Sequence, residues 1–308
     1  MRTFNSNDIT KSTDCVTYAA RLSQNTSPSN IELLKGMVND AHRYLLEKYF
    51  FNEASTTILT VANQQFYDLP ADYSKLKTGT ITIGTLKWTP TEILSRADWD
   101  KLNVFPYYGD IPNNYFIYNN QIGFWPIPAT AGNTITFNYK RRVTDLTISD
   151  YTTSTVSATL NSTAIVGSGT AFVATFLPSA GSVLDLNLWI KITPPKGDGK
   201  WYQISSLTDA TNLVLVNKYT GGTTTGASYI IGQAPLLLED FQDLLVYRPL
   251  MIYFSTIVDN PTKKAEFEGL YNSGIELLDK YAGSKTVNAN LRGAVNTINP
   301  NLYPQSIG

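Results

Sequence analysis

The chain has 308 residues, with 24 basic against 25 acidic side chains and a formal net charge of −1, so it lacks the cationic excess that tight binding to nucleic-acid phosphates requires. Charged residues make up only 16% against 43% hydrophobic, and 19 residues are tyrosine, a composition of β-rich surfaces and subunit interfaces more than of a free cytosolic enzyme. A single cysteine, Cys15, and a single histidine, His42, exclude an intrachain disulfide and any zinc centre built from several Cys or His ligands.

Residues 8 to 50 read as two helices. Asp14 stands early in the first, before Val16, Ala19, Ala20 and Leu22. The second opens with Ser27 as N-cap and Pro28 at the first helical position. Leu34, Met37, Val38, Ala41, Leu45 and Tyr49 then recur at three-four spacing as one apolar face.

From Ser55 to Leu146 the period becomes two, as in Thr134-Ile-Thr-Phe-Asn-Tyr-Lys140, which predicts half-buried strands. Tyr115–Tyr118 and Gln121–Trp125 flank Asn119-Asn120 and predict a hairpin, because Asn tolerates the left-handed backbone of a tight turn. A short helix is expected over Ser95–Leu102. Residues 151 to 232 carry only seven charged side chains but 14 threonines. Their short β-prone runs, separated by Gly, Pro and Asp-Ala-Thr-Asn turns, predict a small all-β sandwich or barrel inserted into a host fold.

Helical patterning returns after Pro235, with Pro249 inside the first helix and Asn260-Pro261 opening the last. Phe267, Leu270, Tyr271, Leu277, Leu278 and Tyr281 make the apolar side of that last helix, and Gly283 reads as its stop. The fold class expected is therefore α+β: an N-terminal helix pair and C-terminal helices packed as a bundle, with a small β-sheet region and the inserted β-domain. Residues 1–150 and 233–283 would form a discontinuous core, 151–232 the insert, and 284–308 an extended arm. That arm has no acidic residue but scattered apolar ones. With no signal-peptide run and no stretch of about 18 apolar residues, a soluble chain assembled in the cytoplasm, without membrane contact, is expected.

No catalytic, cofactor or metal site stands out. His42 reads as a helix-surface or packing residue and Cys15 as a small core residue. Gly167-Ser-Gly-Thr170 and Pro194-Pro-Lys-Gly-Asp-Gly199 fit turns rather than phosphate loops. Asp98, Asp100, Asp185 and Asp198 are carboxylates from which an acid pair could be drawn, though no more numerous than a solvated surface needs. Trp189, Trp201 and Tyr202 could form a sugar-stacking face; the plainer reading puts Trp201 in the core. Lys140-Arg141-Arg142 is the one dense basic cluster, either a solvated strand end or a group facing a partner or DNA conduit.

Phe66-Tyr-Asp-Leu-Pro-Ala-Asp-Tyr73, then Ile117-Tyr-Asn-Asn-Gln-Ile-Gly-Phe-Trp-Pro-Ile-Pro128 running on through Thr134–Arg142, then the helical segment Leu238–Tyr281, resemble in order and wording the head-to-tail adaptor (connector) proteins of short-tailed bacteriophages. The block at Gly167–Phe172, Trp201–Ile204, Thr211–Leu215 and Tyr219–Gly222 is similar to a β-domain of phage structural proteins. The resemblance implies a non-enzymatic virion protein at the head–tail junction, assembled in the host cytoplasm. It would form a dodecameric ring between the portal and a tail or nozzle protein and extend the DNA channel without gripping the passing genome. It also implies an arm running along the portal, with Leu291, Val295, Ile298, Leu302 and Tyr303 as apolar anchors and Lys285 and Arg292 as cationic contacts. Two rivals remain at this stage: a tail-associated module whose block 151–232 binds host glycans, and a glycan-cleaving tail enzyme.

Overall fold

The computed structural model describes residues 1–6, 8, 10, 13–49, 53–83, 86–177 and 186–294. The chain is mixed α and β, as expected, and divides into two compact units: Met1–Leu45 with Asp145–Gly308, and Leu46–Thr144. This division sets the intervening sheets apart from the helices that precede them. The sequence reading instead kept 1–150 in one core.

Helix α1 spans Cys15–Leu22 and starts where Asp14 accepts a hydrogen bond from the Thr17 amide at 2.7 Å, the side-chain cap that an orphan first-turn N–H requires. Helix α2 spans Pro28–Tyr49. Leu34, Val38, Ala41 and Leu45 of its predicted stripe are fully buried.

The unit Leu46–Thr144 holds two four-stranded sheets. Strands β1 (Glu53–Leu59), β2 (Phe66–Asp68), β3 (Tyr73–Ile83), β4 (Leu86–Trp88) and β5 (Thr91–Glu92) precede helix α3 (Arg96–Leu102), and β6 (Asn114–Tyr118), β7 (Gln121–Trp125) and β8 (Thr134–Arg141) follow it. The sheet orders are β1-β8-β3-β4 and β2-β7-β6-β5. Asn119 and Asn120 take φ of 51° and 62° in the β6–β7 turn, the two left-handed positions that a two-residue hairpin needs. Tyr67, Tyr115, Ile122 and Phe124 from one sheet and Ile135, Phe137 and Tyr139 from the other form one core cluster.

In the first unit, residues 151–233 carry a seven-stranded antiparallel sheet, ordered β14-β9-β10-β13-β12-β11-β15. Its strands are β9 (Thr155–Ala158), β10 (Ala164–Ser168), β11 (Leu188–Ile192), β12 (Trp201–Leu207), β13 (Asn212–Leu215), β14 (Thr224–Ala227) and β15 (Tyr229–Gln233), with helical turn α4 (Phe172–Phe176) after β10. Strand β12 pairs with β11 through Trp201–Gln203 and with β13 through Ile204–Leu207, with a register shift between Ile204 and Ser206. Such a shift bends a sheet. The two edge strands are separated only by Ser228, so one kinked length of chain joins both edges and the sheet curls round its core. Phe172, Leu188, Ile190, Leu213, Tyr219 and Tyr229 fill that core.

Helices α5 (Leu244–Thr256) and α6 (Pro261–Ala294) complete the unit. Asn260 caps α6 by accepting from the Lys263 amide at 3.0 Å. The rings of Phe254 and Phe267 stack at 5.7 Å between the two helices, and the Arg248 guanidinium lies 3.9 Å over the Tyr44 ring, tying α5 to α2. Helix α6 corrects one expectation: it runs through Gly283, so residues 284–294 are helical rather than extended.

A junction near Gly232 holds the first unit together. Phe4 donates its amide to the Gln233 carbonyl at 2.8 Å, and Cys15 and Val16 donate to Thr3 and Phe4. The buried Gln233 side-chain oxygen accepts from the amides of both Thr147 and Ile148, at 2.7 and 2.9 Å. A Cβ on Gly232 would come within 2.5 Å of both Thr3 Cγ2 and Asp150 Oδ1, which is why the chain has glycine there.

Candidate interaction surfaces

The motif Tyr67–Tyr73 and the segment Thr134–Arg142, which is β8 and the residue after it, prove to be one structural device. Asp72 accepts hydrogen bonds from Tyr139 Oη at 2.9 Å and from the Arg141 guanidinium, while Leu69 donates to the Asn120 carbonyl at 2.9 Å. Burial works against ionising the Asp72 carboxyl, but the hydrogen bonds from Arg141 and Tyr139 outweigh it and hold its pKa below the ordinary value. Tyr73 and Tyr139 pack ring against ring at 5.9 Å. Thus residues about 70 positions apart in the sequence meet at one corner.

The basic cluster sits at this corner. Arg142 donates from Nε to the Tyr73 carbonyl at 2.9 Å and Lys140 from Nζ to the Glu47 carbonyl at 2.6 Å. Arg141 is half-buried against Asp72. All three side chains therefore serve the fold of their own unit, whatever else they face.

What sequence patterning did not flag is the stretch around α3. Leu94 is 86% exposed and Phe105 81%, and Val104, Tyr107, Tyr108, Ile111 and Tyr118 are also exposed. Backbone bonds fix this stretch: Gly109 donates to the Ile127 carbonyl and Ile127 to that of Tyr107, both at 2.9 Å. Tyr107 also packs on Trp125 at 5.9 Å. Large apolar side chains held in water by a rigid frame mark an interaction surface. The available signal was five bulky apolar residues within Val104–Ile111, a segment that Pro106 and Gly109 keep from being either helix or strand.

The family model described as SU10 adaptor protein matches residues 10–165, which is half of the chain. The chain belongs to the SU10 adaptor protein family. It is a structural adaptor of the bacteriophage virion. No curated protein matches the sequence. The match takes in α1, α2, the whole unit Leu46–Thr144 and the first strand of the curled sheet, so the paired motifs joined by Asp72 and the exposed stretch both belong to the family region.

The adaptor's other expected contacts fall at its C-terminal end. Lys285, Leu291 and Arg292 lie on the backbone of α6, and their side chains are outside the described residues, as are Val295, Ile298, Leu302 and Tyr303 altogether. Earlier in α6, Phe267, Tyr271 and Leu278 are buried, but Leu270 and Leu277, read as part of the same apolar side, face solvent. Among the described residues no helix is long and apolar enough to cross a membrane.

Of the carboxylates considered for an acid pair, Asp98 is bonded to Lys101 at 2.8 Å, Asp100 to Arg96 at 2.9 Å and Asp198 to Tyr202 Oη at 2.5 Å; Asp185 lies outside the described residues. His42 is buried in α2, where its Nε2 accepts from the Leu236 amide at 3.1 Å. Burial pulls its pKa down from 6.5 to about 4, so the imidazole is neutral at physiological pH. Cys15 is fully buried, and desolvation pushes its thiol far up. Both are buried packing residues, which for His42 decides between the helix surface and the packed interior. Tyr202 points into the curled sheet's core and packs against Tyr219, the tilted rings 5.3 Å apart, while Trp201, expected in the core, lies on the outer face.

Proposed function

We propose that this adaptor is a non-enzymatic ring subunit placed between the portal and the tail or nozzle protein, where it extends the DNA channel at the head–tail junction. The single observation that carries the reading is the rigid, exposed stretch Val104–Ile111, with Leu94 and Tyr118, in the family region of the chain. An isolated subunit keeps such a surface in water at a cost of roughly 25 cal/mol per Å² of apolar area. A ring or a docked partner removes that cost. Rings arise when one patch meets a different patch on the next copy and the rotation closes, and a dodecamer is the state the family resemblance favours.

In this arrangement α1, α2, α5 and α6 act as one helical bundle lining the conduit. The net charge of −1 suits a channel through which DNA must slide, since each neutralised phosphate adds affinity. The arm 284–308 lies along the portal, Leu291, Val295, Ile298, Leu302 and Tyr303 being its anchors and Lys285 and Arg292 its partners for acidic groups. Lys140, Arg141 and Arg142 present what remains of their charge to a neighbour or to the channel. Block 151–232 is an inserted domain, and assembly takes place in the host cytoplasm.

The test is reconstitution of the purified adaptor on portal particles, read by electron microscopy and native mass spectrometry. The wild type should add as a closed ring. Leu94→Ser with Phe105→Ser should leave the thermal transition unchanged and abolish ring closure, and a chain ending at residue 283 should fail to attach. Normal rings from the double variant would overturn the reading.

A further inference from the structure

The region where the curled sheet meets the segment leading to α5 contains a pocket of about 570 Å³, lined by Trp189, Lys200, Trp201, Gln203, Leu238 and Glu239 among others. That volume lies in the roughly 300–1,000 Å³ range of small-molecule sites. Its position follows from strand parity. In β11 and β12 the residues Ile190, Tyr202 and Ile204 point inward, so Trp189, Lys191, Trp201 and Gln203 share the outer face, with Trp189 opposite Gln203 and Lys191 opposite Trp201.

Both indoles are held in place. Trp189 donates from Nε1 to Asn187 Oδ1 at 2.9 Å, and the same oxygen accepts from Gln203 Nε2 at 3.3 Å. The Lys191 ammonium stands 4.9 Å over the Trp201 ring. Neither contact serves the core, which lies on the opposite face of the strands.

We propose that this pocket binds a hexopyranose unit of a polysaccharide. Flat indole faces match the C–H face of a pyranose ring. The amide of Gln203 and the Lys200 ammonium offer donors and acceptors to its hydroxyls, and the Glu239 carboxylate, ion-paired with the Met1 amino terminus at the same pocket, offers its second oxygen. A purely apolar ligand would leave these polar groups unpaired, whereas the hydroxyls of a sugar ring pair with them. Rings already fixed by Asn187 and Lys191 lose little freedom on binding, which preserves affinity. The site lies outside the family region of residues 10–165.

The experiment exposes the full-length protein to a printed array of bacterial surface polysaccharides and then titrates any oligosaccharide retained, following tryptophan fluorescence. Saturable binding is expected, weakened roughly tenfold by Trp189→Ala and by Trp201→Ala, and less by Gln203→Ala, with thermal transitions unchanged. Failure to retain any glycan would overturn the proposal, as would binding that survives the double tryptophan variant. Should a tryptophan variant lose its thermal transition, Gln203→Ala and Lys200→Ala decide: full binding by both overturns the proposal, and weakened binding supports it. Ring assembly on the portal is measured separately, so the two readings fail independently.

Discussion

His42 shows how a single buried side chain sets an acid limit on the fold. Neutral, its Nε2 takes the Leu236 amide, while Nδ1 has no partner among the described residues. Its folded pKa of about 4 lies below the 6.5 of a free imidazole, so protonation favours the unfolded chain. The stability it confers is whole above pH 6.5 and is lost as pH falls towards 4. Between pH 7 and pH 5 the wild type should lose about 2 kcal/mol from this group. Urea titrations at the two pH values should therefore show a steep loss in the wild type and a shallower one in His42→Gln. Equal slopes would mean that the imidazole is not the group responsible. Asp72 acts at lower pH and in the other unit: its depressed carboxyl pKa contributes stability above its unfolded value, lost only as the pH drops through the folded one.

At the scale of elements, the β6–β7 hairpin was legible because its turn chemistry is local: Asn119 and Asn120 both take the left-handed conformation that their neighbours could not. Replacing both by Ala should cost about 2 kcal/mol in all, and Asn120→Gly should cost nothing or stabilise; chemical denaturation of the three proteins checks this. The end of α6 was not legible. Gly283 reads as a stop, yet a glycine inside a helix costs only about 1 kcal/mol, and Ala282, Ala289, Leu291, Arg292 and Ala294 around it are strong helix formers. Trp201 was legible in principle. Alternation along β12 puts Tyr202 and Ile204 inside and so Trp201 and Gln203 outside. The exposed stretch around α3 has no period, and burial is a property of the fold that no local pattern carries.

On the scale of the molecule, the division into two units was hidden because its first boundary falls inside α2, where the apolar stripe continues unbroken from Leu45 to Tyr49. Two units with separate cores predict more than one cooperative transition. Calorimetry should resolve two heat-absorption peaks, and His42→Gln should shift only the one belonging to Met1–Leu45 with Asp145–Gly308. A single peak obeying the two-state criterion would show that the units unfold together. The family assignment and the core clusters thus describe the same chain at different grain: the match covers the unit with the two sheets entire, and the other unit only in part.

The junction at Gly232 also orders events on the ribosome. Synthesis proceeds at about 5–20 residues per second and early domains fold first. The unit Leu46–Thr144 has all of its partners once Thr144 has emerged. The Phe4 amide and the Asn5 carbonyl, made early, must wait for Gln233 and Asp150 before they are paired. A nascent chain cut short before Gln233 therefore leaves the segment around Phe4 without its partner, open to proteases. Quality control by degradation would then remove incomplete subunits before they could enter a particle.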